Sequence, residues 1–131
     1  MRPISPTNAD YDFAVTSPRV GRDDNAPDFS HIDHVWVRNG GAWSSINGNL
    51  QKKLGGETLA VDWSPVTPKL YLGTLRGMFW STDLGSTWTQ FDSVPRTRVT
   101  DLDFVPSLNL IGAGTLGRGA FEILTHYTDL N

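Results

Sequence analysis

At 131 residues the chain is large enough to bury the core of one domain. Its 11 Lys plus Arg stand against 14 Asp plus Glu, a net charge of -3 with no basic run, so the electrostatic footprint of a nucleic-acid binder is excluded. There is no Cys, residues 1–13 carry no charged segment followed by an apolar run, and no stretch approaches transmembrane length; no disulfide, thiolate site, signal peptide or membrane contact is expected, and the cytoplasm is the default compartment.

Helix signals are poor throughout, and 13 Gly and 8 Pro punctuate short apolar segments, the pattern of many brief strands joined by turns. The first strands expected are residues 12–16, 34–38 and 42–46, with the polar loop Pro18 to Asp33 linking the first two. Next come 58–63, 69–74, 77–81 and 87–91. Here Leu59, Val61 and Trp63 alternate with Thr58, Ala60 and Asp62, as in a half-buried strand. Turn chemistry at Pro65 to Pro68, Arg76-Gly77 and Leu84-Gly85 separates the four. The last group is 99–105, 109–115 and 120–124, without a clear fourth strand.

These groups repeat one another. Asp62 and Pro65 recur as Asp103 and Pro106, Tyr71-Leu72-Gly73-Thr74 as Gly112-Ala113-Gly114-Thr115, and Arg76-Gly77 as Arg118-Gly119. Gly40, Ala42 and Trp43 answer to Gly85, Thr87 and Trp88. A period of about 40 to 45 residues is that of a propeller blade. The expected fold is therefore all-β: a β-propeller of four-stranded antiparallel blades, about two and a half to three per chain. The blades cover about 11–50, 57–94 and 98–128 of a single unit spanning 1–131.

Ser81-Thr82-Asp83-Leu84-Gly85-Ser86-Thr87-Trp88 fits S-x-D-x-G-x-T-W at every fixed position. This is the Asp-box (BNR) motif, and its spacing suits a tight connection between two strands: Asp83 can accept backbone N–H bonds and Gly85 can take a positive φ. The stretch 13–124 resembles the C-terminal blades of the sialidase-like, sortilin and xyloglucanase-type propellers. The resemblance rests on the Asp box, on His34-Val35-Trp36-Val37, on Ser45 to Leu50, and on Ala113-Gly114-Thr115-Leu116-Gly117-Arg118-Gly119-Ala120, which is similar to the family's closing signature. The first copy departs from the pattern, with Arg38 where the Asp-box Asp would stand; Asn39 is expected to hold that turn instead.

The resemblance implies a sialidase site of an arginine triad, a Tyr–Glu nucleophile pair and an acidic donor. None of Arg19, Arg22, Arg38, Arg76, Arg96, Arg98 or Arg118 sits in a context that maps onto the triad. Inverting glycoside hydrolysis needs two opposed carboxylates, and Asp62 with Asp103, or Glu122, are the acids available. An Asp repeated at one place in successive repeats more often satisfies backbone groups at a strand end. His31, Asp33 and His34 with Asp23, Asp24 and Asp28 match no zinc or calcium template, so no metal and no cofactor are expected. His126 is read as incidental.

The aromatics Trp36, Trp63, Trp80, Phe79, Tyr71 and Phe104 could form a sugar-stacking platform or pack between blades; Trp63 and Phe104 are assigned to packing, whereas Trp36 and Trp80 are the candidates for an exposed ring. Arg118 and Arg76, on turns between strands, are the polar candidates. The function expected is a non-enzymatic binding or assembly module for a glycan or protein, the alternative being a glycoside hydrolase assembled across subunits. So few blades cannot close a ring, and two apolar blade faces would meet water. Either self-association or further blades of a longer protein would cover them; the initial Met is read as the start of a complete small product, so a homo-oligomer, most simply a two-fold dimer, is expected.

Overall fold

The computed structural model describes residues 5–8, 10–16 and 33–124. The chain is all-β there, with three antiparallel sheets, none of them closed. The first contains β1 (Tyr11–Val15), β2 (Val35–Asn39) and β3 (Ser44–Ser45) in that order. The second is a four-strand meander of β4 (Thr58–Asp62), β5 (Lys69–Thr74), β6 (Gly77–Ser81) and β7 (Thr89–Gln90). The third pairs β8 (Val99–Val105), β9 (Leu110–Thr115) and β10 (Ala120–Leu124). Short 3-10 turns at Lys52–Leu54 and Pro106–Leu108 link these elements.

The strands lie where the apolar alternation places them, with shifts at the ends that have local causes. The strand expected at 109–115 begins at Leu110, because Asn109 closes a 3-10 turn in the left-handed region (φ 49). The expected 87–91 contracts to Thr89–Gln90, since Thr87 is engaged by the Asp83 carboxylate. Ser44–Ser45 is all that pairs of the expected 42–46.

Leu59 and Val61 do alternate with Ala60, but both faces of β4 are buried, because the second sheet is sandwiched between the other two. Toward the first sheet, Leu59, Val61, Leu70 and Leu72 pack with Phe13, Val35 and Trp88. Toward the third, Ala60, Tyr71 and Met78 pack with Val99, Leu102, Ile111 and Ala113. Trp63 lies edge-on to Tyr11 at 5.2 Å and tilted to Phe13 at 5.5 Å, while Phe104 stacks on Tyr71 at 6.2 Å, so both rings serve packing.

Two expectations are corrected. The turn after Arg38 is held by the Gly40 N–H on the Asp10 carbonyl (3.1 Å) and by Arg38 itself, which pairs with buried Asp12 at 3.0 Å and lies over the Trp43 ring at 5.3 Å; among the described contacts Asn39 contributes no side-chain bond. The outward face of the third sheet is also not apolar. Register places Asp101 with Gly114 and Ala120, and Asp103 with Gly112 and Glu122, and only the row Val105, Leu110, Leu124 is aliphatic. The positions that answer to Tyr71, Met78 and Trp80 of the second sheet are thus Gly112, Ala120 and Glu122.

Candidate binding cleft

The Ser81–Trp88 turn is closed by its own side chains. Asp83 accepts from the Thr87 N–H (2.9 Å), the Thr87 hydroxyl (2.6 Å) and the Ser81 hydroxyl (2.8 Å). Ser81 Oγ accepts in turn from the Gly85 N–H at 2.9 Å. These donors, Thr87 foremost, hold the Asp83 carboxyl below the usual carboxylate range.

The turn seats on the segment after β3. Gly85, with φ 81, faces the Ile46 carbonyl so closely that a Cβ would collide with backbone, and Gly48, with φ 50, stands in the same relation to the Gly85 carbonyl. Asn49 then grips the backbone of Trp88 at both ends: Trp88 N–H donates to Asn49 Oδ1 at 2.6 Å and Asn49 Nδ2 donates to the Trp88 carbonyl at 3.1 Å. The Trp88 indole N–H donates to the Ile46 carbonyl at 3.0 Å, with the ring 4% exposed. One loop of the first sheet thereby becomes a fixed wall beside the outer strands of the second.

Between that wall and the second sheet lies a cleft of about 430 Å³, within the size range of small-ligand sites. Leu50, Leu54, Phe79 and Trp88 form its apolar floor. The exposed Lys53, Arg76 and Arg96 line it together with Asn49, Gln51 and Gln90, and among the described residues no Asp or Glu does. Backbone bonds bring the segments carrying Arg76 and Arg96 together. Arg76 is fixed by its N–H on Thr74 Oγ1 (3.1 Å) and by Gln90 Nε2 on its carbonyl (2.9 Å), and the neighbouring Gly77 N–H donates to the Thr97 carbonyl at 2.8 Å, drawing the Arg96 loop alongside. The ion pairs given by the described residues engage other cations, Arg38 with Asp12, Lys52 with Asp33 and Arg98 with Glu57. Lys53, Arg76 and Arg96 take part in none of them.

Of the residues singled out in the sequence, Arg76, Arg96, Phe79, the structural Trp88, and Asn49 and Leu50 of the Ser45 to Leu50 stretch reach this cleft. Arg118 is exposed on the β9–β10 turn. Trp36 is half-buried on the far face of the first sheet, and Trp80 packs against Phe91 at 6.3 Å with Lys69 above it. Asp62 accepts from the Ser64 N–H (3.0 Å) and hydroxyl (2.6 Å). Asp103 and Glu122 are exposed on the third sheet. Asp33 takes the Ser45 hydroxyl at 2.6 Å, and buried His34 shares a 3.0 Å bond through Nδ1 with Thr16 Oγ1. No group of three potential metal ligands occurs among the described residues. Arg19, Arg22, Asp23, Asp24, Asp28, His31 and His126 lie outside the described residues.

Lys53, Gln51 and Gln90 carry no motif and were missed by sequence reasoning, and Arg96 was named there only as matching no arginine triad. The only signal available was the repeat register, which sets residues 49–54 of one unit beside the strand ends of the next. Comparison of the chain with protein-family models, with curated proteins and with solved structures finds no match.

Proposed function

We propose that the chain is a non-enzymatic binding module on an Asp-box β-propeller scaffold, its three sheets being consecutive blades and its ligand a glycan or protein. What carries this reading is the division of labour among polar side chains. The motif residues Ser81, Asp83 and Thr87 satisfy one another, and Asp62 serves Ser64. A separate set of cations and amides lines the cleft, and among the described residues no acid that could transfer a proton lines it. The stacking supports the blade assignment, since β4 lies against β8 and touches β1, as the first strands of neighbouring blades would.

A second copy of the chain completes the ring in this reading. The far face of the third sheet is small and acidic, with Gly112, Asp103 and Glu122, and that of the first carries Trp36 beside the Arg38–Asp12 pair. The two are complementary in size, small side chains on one and a large ring on the other.

One observation favours the hydrolase as a second reading. Asp103 and Glu122 flank Gly112 in one cross-strand row, so their backbones stand two strand spacings apart, roughly 9.5 Å, and inverting carboxylates stand roughly 6.5 to 9.5 Å apart. A panel of chromogenic glycosides and a glycan array separate the two. Saturable binding without turnover is expected; turnover abolished by Asp103→Asn or Asp62→Asn would reverse the assignment.

A further inference from the structure

We infer that the cleft between the first two sheets is a site for an anionic saccharide, its sulfate or carboxylate held by Lys53, Arg76 and Arg96. This rests on the binding-module reading and gives it a ligand class. In a chain of net charge -3, three cations line one cavity, and among the described residues no carboxylate lines it or pairs with them. An oxyanion entering the cavity meets only positive charge among the described charged groups that line it, and two guanidinium groups offer planar, paired donors of the kind that bind such an anion bidentately.

The rest of the lining narrows the class. Gln90 has one amide donor committed to the Arg76 carbonyl, and Gln51 makes no described side-chain bond, so both retain groups for ligand hydroxyls. The Phe79 floor suits the apolar face of a sugar ring. The cavity, about 430 Å³, is sized for a small ligand rather than an extended acidic peptide. The backbone around the site is held in place, Asn49 and Gly85 fixing one wall and the Gly77–Thr97 bond the other, so the ordering cost of binding falls on the side chains alone.

The test is a titration of the full chain, followed by calorimetry and by side-chain amide and indole NMR signals, with five probes: a sulfated disaccharide, a uronate disaccharide, neutral cellobiose, inorganic sulfate and an acidic tetrapeptide. One or both acidic disaccharides are expected to bind, cellobiose and sulfate at least about tenfold more weakly, each lacking one half of the recognition. Arg96→Gln should weaken binding by about tenfold and the Lys53→Gln/Arg96→Gln pair by more, whereas Lys52→Gln, whose cation pairs with Asp33 outside the cleft, should leave it unchanged. Equal binding of cellobiose, tighter binding of sulfate or the peptide, or an equal loss in the Lys52→Gln variant would overturn the assignment. Array binding that persists when the cleft signals do not move would discard this site and keep the binding module; turnover of a bound disaccharide would keep the site and discard the non-enzymatic reading.

Discussion

The two seams of this molecule are closed by different physics. Between the second and third sheets the contact is continuous and apolar, with Tyr71 stacked between Phe91 and Phe104 over Met78, Val99 and Ile111. Between the first and second the aliphatic core gives way, at the outer edge, to a polar lock in which two glycines let backbones touch and Asn49 clasps Trp88. The first seam carries the cleft because a polar lock can be rigid without being space-filling, whereas packed rings leave no room for a ligand.

The contrast can be broken from either side. Tyr71→Ala should have the largest effect, a loss of about 3 to 5 kcal/mol in urea unfolding, the range for truncating a large buried aromatic ring. If the chain stays folded, ligand binding at the cleft should survive, since the first seam is untouched. Gly85→Ala should cost less, about 1 to 2 kcal/mol for the left-handed backbone alone, with more from the collision with Ile46. Its distinguishing result is a lost or weakened cleft, read from the Trp88 indole signal.

Asp83→Asn should have the smallest effect and a particular pH dependence. The folded carboxyl titrates below its unfolded value, so the stability it contributes is fully present above about pH 4 and is lost as pH falls through the folded value. The gap in Tm between the parent and the variant should therefore be constant from neutral pH down to about pH 4 and narrow below it. A gap that widens on acidification would mean that the turn is held by something other than the ionised Asp83.

How much was legible in the sequence follows from the same contrast. The middle sheet could be read almost residue for residue, since β5 and β6 are short continuous apolar runs bounded by turn residues. The roles of Ser81, Asp83, Gly85 and Thr87 were legible too, because the bonds involved are local. The cleft was not. Lys53, Arg76 and Arg96 lie far apart in the chain and are joined only by the seam, and a lone cation on a loop gives no sign of the others. The third sheet's outward face was misjudged for a related reason: apolar content alone does not say that Gly112, Ala120 and Glu122 replace the bulk of Tyr71, Met78 and Trp80 there.

The central claim is a module of stacked blades that closes on a second copy, and light scattering at micromolar concentration tests it most directly. A particle of twice the chain's mass, dissociating when Asp103 and Glu122 are both replaced by Lys, is the predicted result. A monomer in the unmodified chain, with the glycan or anion binding intact, would contradict ring completion and leave the three sheets as a self-sufficient open stack.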